Sequence, residues 1–328
     1  MNIAVVGCSF AGLSFSYFLN KRLNVINLTL FDKKSKVGLS RTSACCTSVK
    51  VLNELSVEKS ILRKVNSFTV HYKEEEFKFK TPNYATFDYQ KLCSLLRKKI
   101  KGKFVLGNAA DIRKLKKDYD IVIDSSGWSS RIDTNKRLAF GIEKEVEVDN
   151  LNSTTLHAFL GKHIIESGYG WAFPVSKNRF RVGVGSYKKL NFENKLNSFL
   201  NSLNCNEDSK QVGGFISYGL SNNIVEDNVI CVGDSASQTL PLTFEGIRPA
   251  WLFSKILSQL VVDYYEGKMS FRELINNYKK SSRNKILYYT LLKSQKIFLN
   301  MDDTIFNLVK QILKSNRCYS LFSKKYFW

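Results

Sequence analysis

The sequence predicts a mixed α/β fold in which a parallel sheet is interleaved with a second, mainly antiparallel sheet and followed by a helical C-terminal segment. Three observations predict it. An apolar run at residues 3–7 ends in glycine, then gives way to helical spacing and to a second apolar run, which makes a βαβ unit. From 136 to 220 the pattern turns to strand-like alternation, the mark of an antiparallel layer. At 228–233 the apolar run into glycine returns and a long apolar helix follows, so the chain re-enters its first sheet. With 328 residues, 44% of them hydrophobic and only 4 of them Pro, there is material for about two packed domains.

Residues 3–7 (Ile, Ala, Val, Val, Gly) have the composition of a central strand covered on both faces. Leu13, Tyr17 and Phe18 then recur at helical spacing, and residues 25–31 form a second strand that closes at Asp32. Residues 47–63, carrying Val51, Leu52, Leu55 and Leu62, fit a helix. Phe68, Val70 and Tyr72, then Phe77 and Phe79, alternate around an acidic turn and predict a hairpin. Helical periodicity returns at 87–100, and short strands are expected at 103–106 and 120–124. Strands at 138–148, 154–160, 168–175, 179–187 and 212–219 follow, broken by one amphipathic helix near 191–204. A long apolar helix is expected at 246–265. Beyond Lys268 the chain is helical, aromatic and basic, as a helical cap would be. The expected division is a Rossmann-like nucleotide domain at 1–65, 83–135 and 222–265, a sheet domain at 66–82 and 136–221, and a helical segment at 266–328.

Fifty Lys and Arg against 29 Asp and Glu leave a formal charge of +21. Such an excess attracts polyanions, anionic lipid headgroups or an acidic protein, and charge does not choose among the three. The basic residues are scattered in pairs such as Lys33, Lys34 and Lys98, Lys99, and no nucleic-acid motif spacing occurs, so no specific nucleic acid is expected. No run of about 18 apolar residues exists, and the N-terminal apolar stretch reads as a strand feeding a glycine turn rather than a signal peptide. A cytoplasmic protein is expected, with at most peripheral contact to a membrane. Seven Cys without CxxC spacing imply reduced thiols, and three His without an HxxxH pair give no basis for a metal site or a His-based hydrolase.

Chemistry enters at the first turn, Gly7, Cys8, Ser9, Phe10, Ala11, Gly12, a GxSxAG variant of the dinucleotide fingerprint. Gly7 permits the tight turn, the small Ser9 and Ala11 let backbone N–H groups approach a pyrophosphate, and Gly12 lets the helix sit close to the strand. Asp32, twenty residues after Gly12, ends the second strand, where a carboxylate accepts hydrogen bonds from ribose hydroxyls. Two further turns follow apolar strands: Asp124 with Gly127, and Gly233 with Asp234. A nicotinamide dehydrogenase needs neither, so they favour FAD, with acids that bind ribityl or phosphate-linked hydroxyls. Gly246 and Ile247 then open the long helix, whose N-terminal N–H groups face a flavin ring oxygen.

Together the fingerprint at 7–12, DSSGWS at 124–129, GYGWAFP at 168–174 and GDSA with PLTFEGI at 233–247 resemble the geranylgeranyl reductase family, FAD-dependent oxidoreductases of the hydroxybenzoate-hydroxylase fold. The resemblance spans residues 1–265. It implies that Tyr169, Trp171, Phe173 and Pro174 reproduce the family's YxWxFP motif and form an aromatic substrate-binding wall turned to the flavin. It further implies saturation of isoprenoid double bonds of a prenyl lipid, with electrons from an external donor, a ferredoxin or a nicotinamide nucleotide. The family's Cys-Gly loop matches only at Cys45 and Cys46, without the glycine; either thiol is a candidate proton donor or a buried structural thiol. The family's flavin-contacting Arg is replaced before Phe87 and Asp88, and Arg41 either supplies that charge or is a surface residue. A flavin monooxygenase or halogenase of the same fold, and a non-catalytic basic protein that binds lipid or nucleic acid, remain as alternatives.

Overall fold

The computed structural model describes residues 1–23, 27–39, 44–205, 207, 209–281 and 285–307. Strand β1 (Asn2–Val6), helix α1 (Phe10–Arg22) and strand β2 (Asn27–Asp32) realise the expected βαβ unit, with Ile3 opposite Leu28 in parallel register. Ile3, Ala4 and Val5 are wholly buried, as an apolar strand covered on both faces must be.

The expected helix at 47–63 is largely absent. A three-residue strand β3 (Cys46–Ser48) leads into a six-residue helix α2 (Val49–Glu54), and Ser56 at φ 53° breaks it. Residues 61–65 instead open strand β4 (Ile61–Tyr72), which pairs with β5 (Glu75–Phe87), Val65 opposite Tyr84. The predicted hairpin is therefore longer at both ends, because ladder hydrogen bonds and a buried Val65 outweigh a weak helical pattern.

Helix α3 (Tyr89–Arg97) starts at Asp88, whose carboxylate accepts from Lys91 N at 2.9 Å. Strand β6 (Lys103–Leu106) follows, then α4 (Ile112–Asp118), a helix the sequence pattern did not indicate, and β7 (Ile121–Asp124). The second layer comprises β8 (Arg137–Glu147), β9 (Thr155–Phe159), β10 (Gly168–Pro174), β11 (Arg179–Ser186), α5 (Phe192–Ser202) and β12 (Val212–Tyr218). The chain returns to the first layer through β13 (Val225–Glu226) and β14 (Val229–Cys231). Helices α6 (Ile247–Tyr265), α7 (Phe271–Ser281) and α8 (Lys285–Phe298) follow.

Two sheets result. The first has six strands in the order β13-β14-β7-β1-β2-β6, parallel except for β13. The second has eight, β12-β8-β11-β10-β9-β4-β5-β3, antiparallel except where β9 runs parallel to β4. Residues 46–48, 61–65 and 83–87 thus belong to the second sheet, not to the nucleotide domain as the sequence division had them. Helices α1 and α6 share one face of the first sheet, where Ser254 Oγ donates to Ala11 O at 3.0 Å. On the second sheet Ala172, Phe180 and Val182 pack against Leu196 and Phe199 of α5. Since side chains alternate along a strand, Tyr169, Trp171 and Phe173 are left facing the opposite way, toward the first sheet. No helix among the described residues is long and apolar enough to cross a membrane.

Candidate functional site

A single cavity of about 980 Å³ runs between the two sheets, from the carboxyl ends of β1 and β2 to the aromatic face of β10. At its first end Gly7 turns the chain at φ +103°, its N–H donating to Phe31 O at 2.8 Å. A Cβ at Gly7 would lie 2.3 Å from Ser125 O, so the bend admits no side chain. Gly12 is packed more tightly still: its Cβ would meet Gly7 O at 2.2 Å and Ser125 Oγ at 2.4 Å. It therefore stands behind the cavity wall and lets α1 approach, while Gly7, Ser9 and Ala11 line the wall. Ser9 makes no side-chain cap on the 13-residue α1; Phe10 N–H donates to Tyr89 Oη at 3.2 Å, and the positive end of the helix dipole faces the cavity.

Asp32 lines the same end. Its two carboxylate oxygens accept from Cys8 N at 2.7 Å and Lys34 N at 2.9 Å, which aims the group while each oxygen retains a further lone pair. The geometry fits a dinucleotide: a side-chain-free bend, a helix start facing the cavity and an oriented acid at the end of β2.

The second acid is placed differently from expectation. Asp124 is wholly buried and does not reach the cavity. Its Oδ1 accepts from Ser126 N (2.9 Å), Ser126 Oγ (2.6 Å) and Ser235 Oγ (3.3 Å), and its Oδ2 from Ser130 Oγ (2.6 Å). Buried among these donors, it ties the turn after β7 to the turn after β14; Gly127, in the turn after β7, does line the cavity. Asp234 is the acid on the wall. Burial pushes its carboxyl up to about 6, against the Thr239 hydroxyl that donates to Oδ1 at 3.0 Å and the charge of Lys136. Gly233, at φ +71°, brings this turn against α1, where a Cβ would lie 2.8 Å from that of Ala11.

Gly246 and Ile247 line the cavity at the start of α6, a 19-residue helix with no side-chain cap. Glu245, just ahead of it, is paired twice by Arg248 (Nε to Oε1 2.9 Å, NH2 to Oε2 2.7 Å), which offsets its charge beside the helix start. The loop before α6 is tied to β10 by Tyr169, whose hydroxyl donates to Thr243 O and whose ring stacks at 6.1 Å on Phe244. Burial raises the Tyr169 phenol far above its usual range, and the Glu245 charge adds to it.

Trp171 lies at the centre of the wall. Its indole rests on a platform of three glycines from neighbouring strands: a Cβ would lie 2.3 Å from the ring at Gly183, 3.2 Å at Gly185 and 3.3 Å at Gly141. Its Nε1–H donates to Glu143 Oε2 at 2.9 Å. Phe173 continues the wall with Phe68, Val70, Leu156 and Ala158, an apolar surface. Pro174 is not on it; its carbonyl accepts from Thr86 Oγ1 at the strand end.

Cys45 and Cys46 both line the cavity, and Arg181, itself buried, donates to Ala44 O (3.2 Å) and Phe87 O (3.0 Å) and so fixes the segment that carries them. Burial pushes the Cys46 thiol well above its ordinary value, reinforced by Glu245 and opposed by Arg181. Arg41 lies outside the described residues.

Sequence reasoning missed the glycine platform under Trp171, although glycine inside the strand-like runs at 141 and 183–185 was the available signal. It also missed Phe298 and Leu299, which reach the cavity from the end of α8.

No protein-family model matches the chain. Among curated proteins it is similar to digeranylgeranylglycerophospholipid reductase 2 of Methanothermobacter thermautotrophicus, 28% identical over 149 residues that cover 44% of this chain and 39% of that one. It is also similar to digeranylgeranylglycerophospholipid reductase 3 of Methanosphaera stadtmanae, 22% identical over 324 residues, covering 82% and 80%. Among solved structures, a geranylgeranyl bacteriochlorophyll reductase-like protein from Thermoplasma acidophilum superposes with TM-score 0.83 at 17% identity, over 99% of this chain and 96% of that one. A probable FAD-dependent monooxygenase from Pseudomonas aeruginosa superposes with TM-score 0.70 at 14% identity, over 95% and 99%.

Proposed function

We propose that this chain, similar to digeranylgeranylglycerophospholipid reductases in sequence and to a geranylgeranyl reductase-like protein in fold, is a flavin-dependent oxidoreductase of the geranylgeranyl reductase family that binds FAD and saturates isolated double bonds of an isoprenoid lipid. One observation carries the reading: the bend at Gly7, the acid Asp32, the start of α6 and the aromatic wall of Tyr169, Trp171 and Phe173 line one continuous cavity. A dinucleotide held at the first end would share this cavity with the aromatic wall.

When bound, the flavin supplies the hydride chemistry, and everything else is left to the chain. The N–H groups at the start of α1 would hold the diphosphate, Asp32 would accept from the ribose hydroxyls, and Asp234 with the α6 N-terminus would hold the ribityl and ring. An isolated alkene offers no polar handle, so the apolar wall positions it by shape and excludes water. Cys46 is the candidate proton source: its thiol lines the cavity and burial keeps it protonated at neutral pH.

An external donor, a reduced ferredoxin or a nicotinamide nucleotide, would supply the electrons; the charge of +21 suits an acidic protein donor and peripheral contact with an anionic membrane. The likeness to a monooxygenase fold supports a second reading, oxygen-dependent functionalisation of a small aromatic. One experiment separates them. Dithionite-reduced protein is incubated anaerobically with geranylgeranylated lipid and the lipid is weighed by mass spectrometry. Added pairs of hydrogen support the reductase; unchanged lipid with fully bound flavin, and oxygen uptake coupled to an aromatic substrate, overturn it.

A further inference from the structure

Trp171 has one face of its indole set against bare backbone. Trp171 lies opposite Gly183 in the β10–β11 register, and Gly185 lies opposite Gly141 on β8. Cβ atoms on these glycines would meet Cζ2 and Cε2 from Gly183, Cζ3 from Gly185 and Cη2 from Gly141. All three would leave the sheet on one side and strike different parts of one bicyclic ring, so the ring lies flat along the sheet. Tyr169 packs beside it at 5.9 Å with 60° between the ring planes, and so does not stack on it. The indole is half-buried and lines the cavity, to which it turns its other face.

The rim of that ring carries an acid. Glu143, two residues along β8 from Gly141 and therefore on the same side of the sheet, is 3% exposed and accepts the Nε1–H at 2.9 Å. It lines the cavity as well. A carboxylate in such surroundings is costly to bury, and accepting the indole N–H polarises the ring toward a more electron-rich face. Among the described lining residues the only cations are Lys33 and Lys34, which follow Asp32 at the first end. The wall at Trp171 is thus apolar in shape and negative in potential.

We propose that the Trp171 face and the Glu143 carboxylate form a cation site, which stabilises the branched carbon of the isoprenoid double bond as it turns positive. The inference rests on the isoprenoid reading above and deepens it. An isolated alkene has no carbonyl to accept a hydride, so the proton leads. It adds to the less substituted carbon, takes the π electron pair into a new C–H bond and leaves the branched carbon electron-deficient. A hydride from reduced flavin then brings its own electron pair to that carbon, closes the second C–H bond and leaves the flavin oxidised by that pair. The neutral alkene gains little from a π face or a carboxylate, whereas the positive carbon gains from both in a desolvated site. The stabilisation therefore falls on the transition state.

Tertiary amines in which nitrogen replaces a branched alkene carbon of geranylgeraniol are positively charged at neutral pH, and the set of positional isomers carries that charge at each double bond in turn. Binding of these amines and of geranylgeraniol to the oxidised holoprotein is measured by mass spectrometry of ligand retained on immobilised protein. With the native chain at least one isomer binds about tenfold more tightly than the alcohol. Glu143→Gln keeps an acceptor oxygen for the indole; it loses most of that advantage and binds geranylgeraniol as before. Trp171→Leu loses the advantage too, and Trp171→Phe, with a weaker π face, keeps part of it. In turnover, Glu143→Gln lowers kcat and leaves KM unchanged. Being isosteric, it keeps the test decisive if the tryptophan variants unfold. Native protein that binds geranylgeraniol but no amine more tightly, or an advantage that survives in Glu143→Gln, overturns the cation site and leaves the isoprenoid reading standing. Failure to bind geranylgeraniol and every amine overturns that reading and the site with it.

Discussion

Alanine at Gly183 should dislodge the central aromatic of the wall. Gly183 lies opposite Trp171 in the β10–β11 register, and a Cβ there would sit 2.3 Å from Cζ2, 2.5 Å from Cε2 and 2.6 Å from Ile142 O. Carbon atoms pack at about 3.5 Å or more, so the indole must retreat by roughly 1.2 Å or the strand must bend. Retreat lifts the ring off the sheet into the cavity and stretches the 2.9 Å hydrogen bond to Glu143 past its useful range. Overpacking costs about 1–3 kcal/mol and the lost hydrogen bond about 1 kcal/mol more. Gly185 and Gly141 provide graded controls: their Cβ positions are 3.2 and 3.3 Å from the ring, which small adjustments absorb. The expected order of destabilisation is Gly183→Ala well above Gly185→Ala and Gly141→Ala, read as melting temperature. The near-ultraviolet circular dichroism of the indole should change most in Gly183→Ala. Equal melting temperatures and unchanged aromatic signals across the three would refute the platform.

Other substitutions test the remaining parts of the site. Gly7→Ala combines φ +103° with a 2.3 Å clash on Ser125 O, so the purified protein should lose its flavin absorbance; a yellow protein of native stability would remove Gly7 from the dinucleotide cradle. His157 lies on the face of the second sheet turned from the cavity, its Nε2–H donating to Asn152 O at 3.0 Å and its Nδ1 accepting from His71 Nε2 at 2.8 Å. Burial lowers its pKa to about 4, so the unfolded chain binds the extra proton between about pH 6.5 and 4, and stability falls by roughly 2–4 kcal/mol as pH drops through that window. His157→Gln should flatten that part of the stability–pH curve, and an unaltered slope in urea melts at pH 7.5 and 4.5 would contradict it. Because burial holds the Cys46 thiol protonated, iodoacetamide at neutral pH should leave it unmodified in the native protein and label it after unfolding; rapid native labelling would show a thiolate instead.

The sequence by itself determined the features whose causes are local. A continuous apolar run needs cover on both faces, Gly7 alone tolerates its turn, and a strand that ends in Asp32 fixes that carboxylate beside the turn, so the βαβ unit and its bend were legible within about thirty residues. The alternation in GYGWAFP likewise committed Tyr169, Trp171 and Phe173 to one face of one strand. Which surface that face meets was decided only in three dimensions, because it depends on segments remote in sequence. Asp124 looked like Asp32 in sequence, yet serines from its own turn and from the turn after β14 surround it and turn it inward. Residues 61–63 closed a helical pattern, yet a partner strand at 86–87 drew them into a ladder. The flat seat of Trp171 requires glycines on β8 and β11 to arrive at one place, and the lining residues Phe298 and Leu299 come from the end of α8. Period and turn chemistry act between near neighbours along the chain, whereas pairing, burial and the shape of a cavity arise from contacts between distant segments.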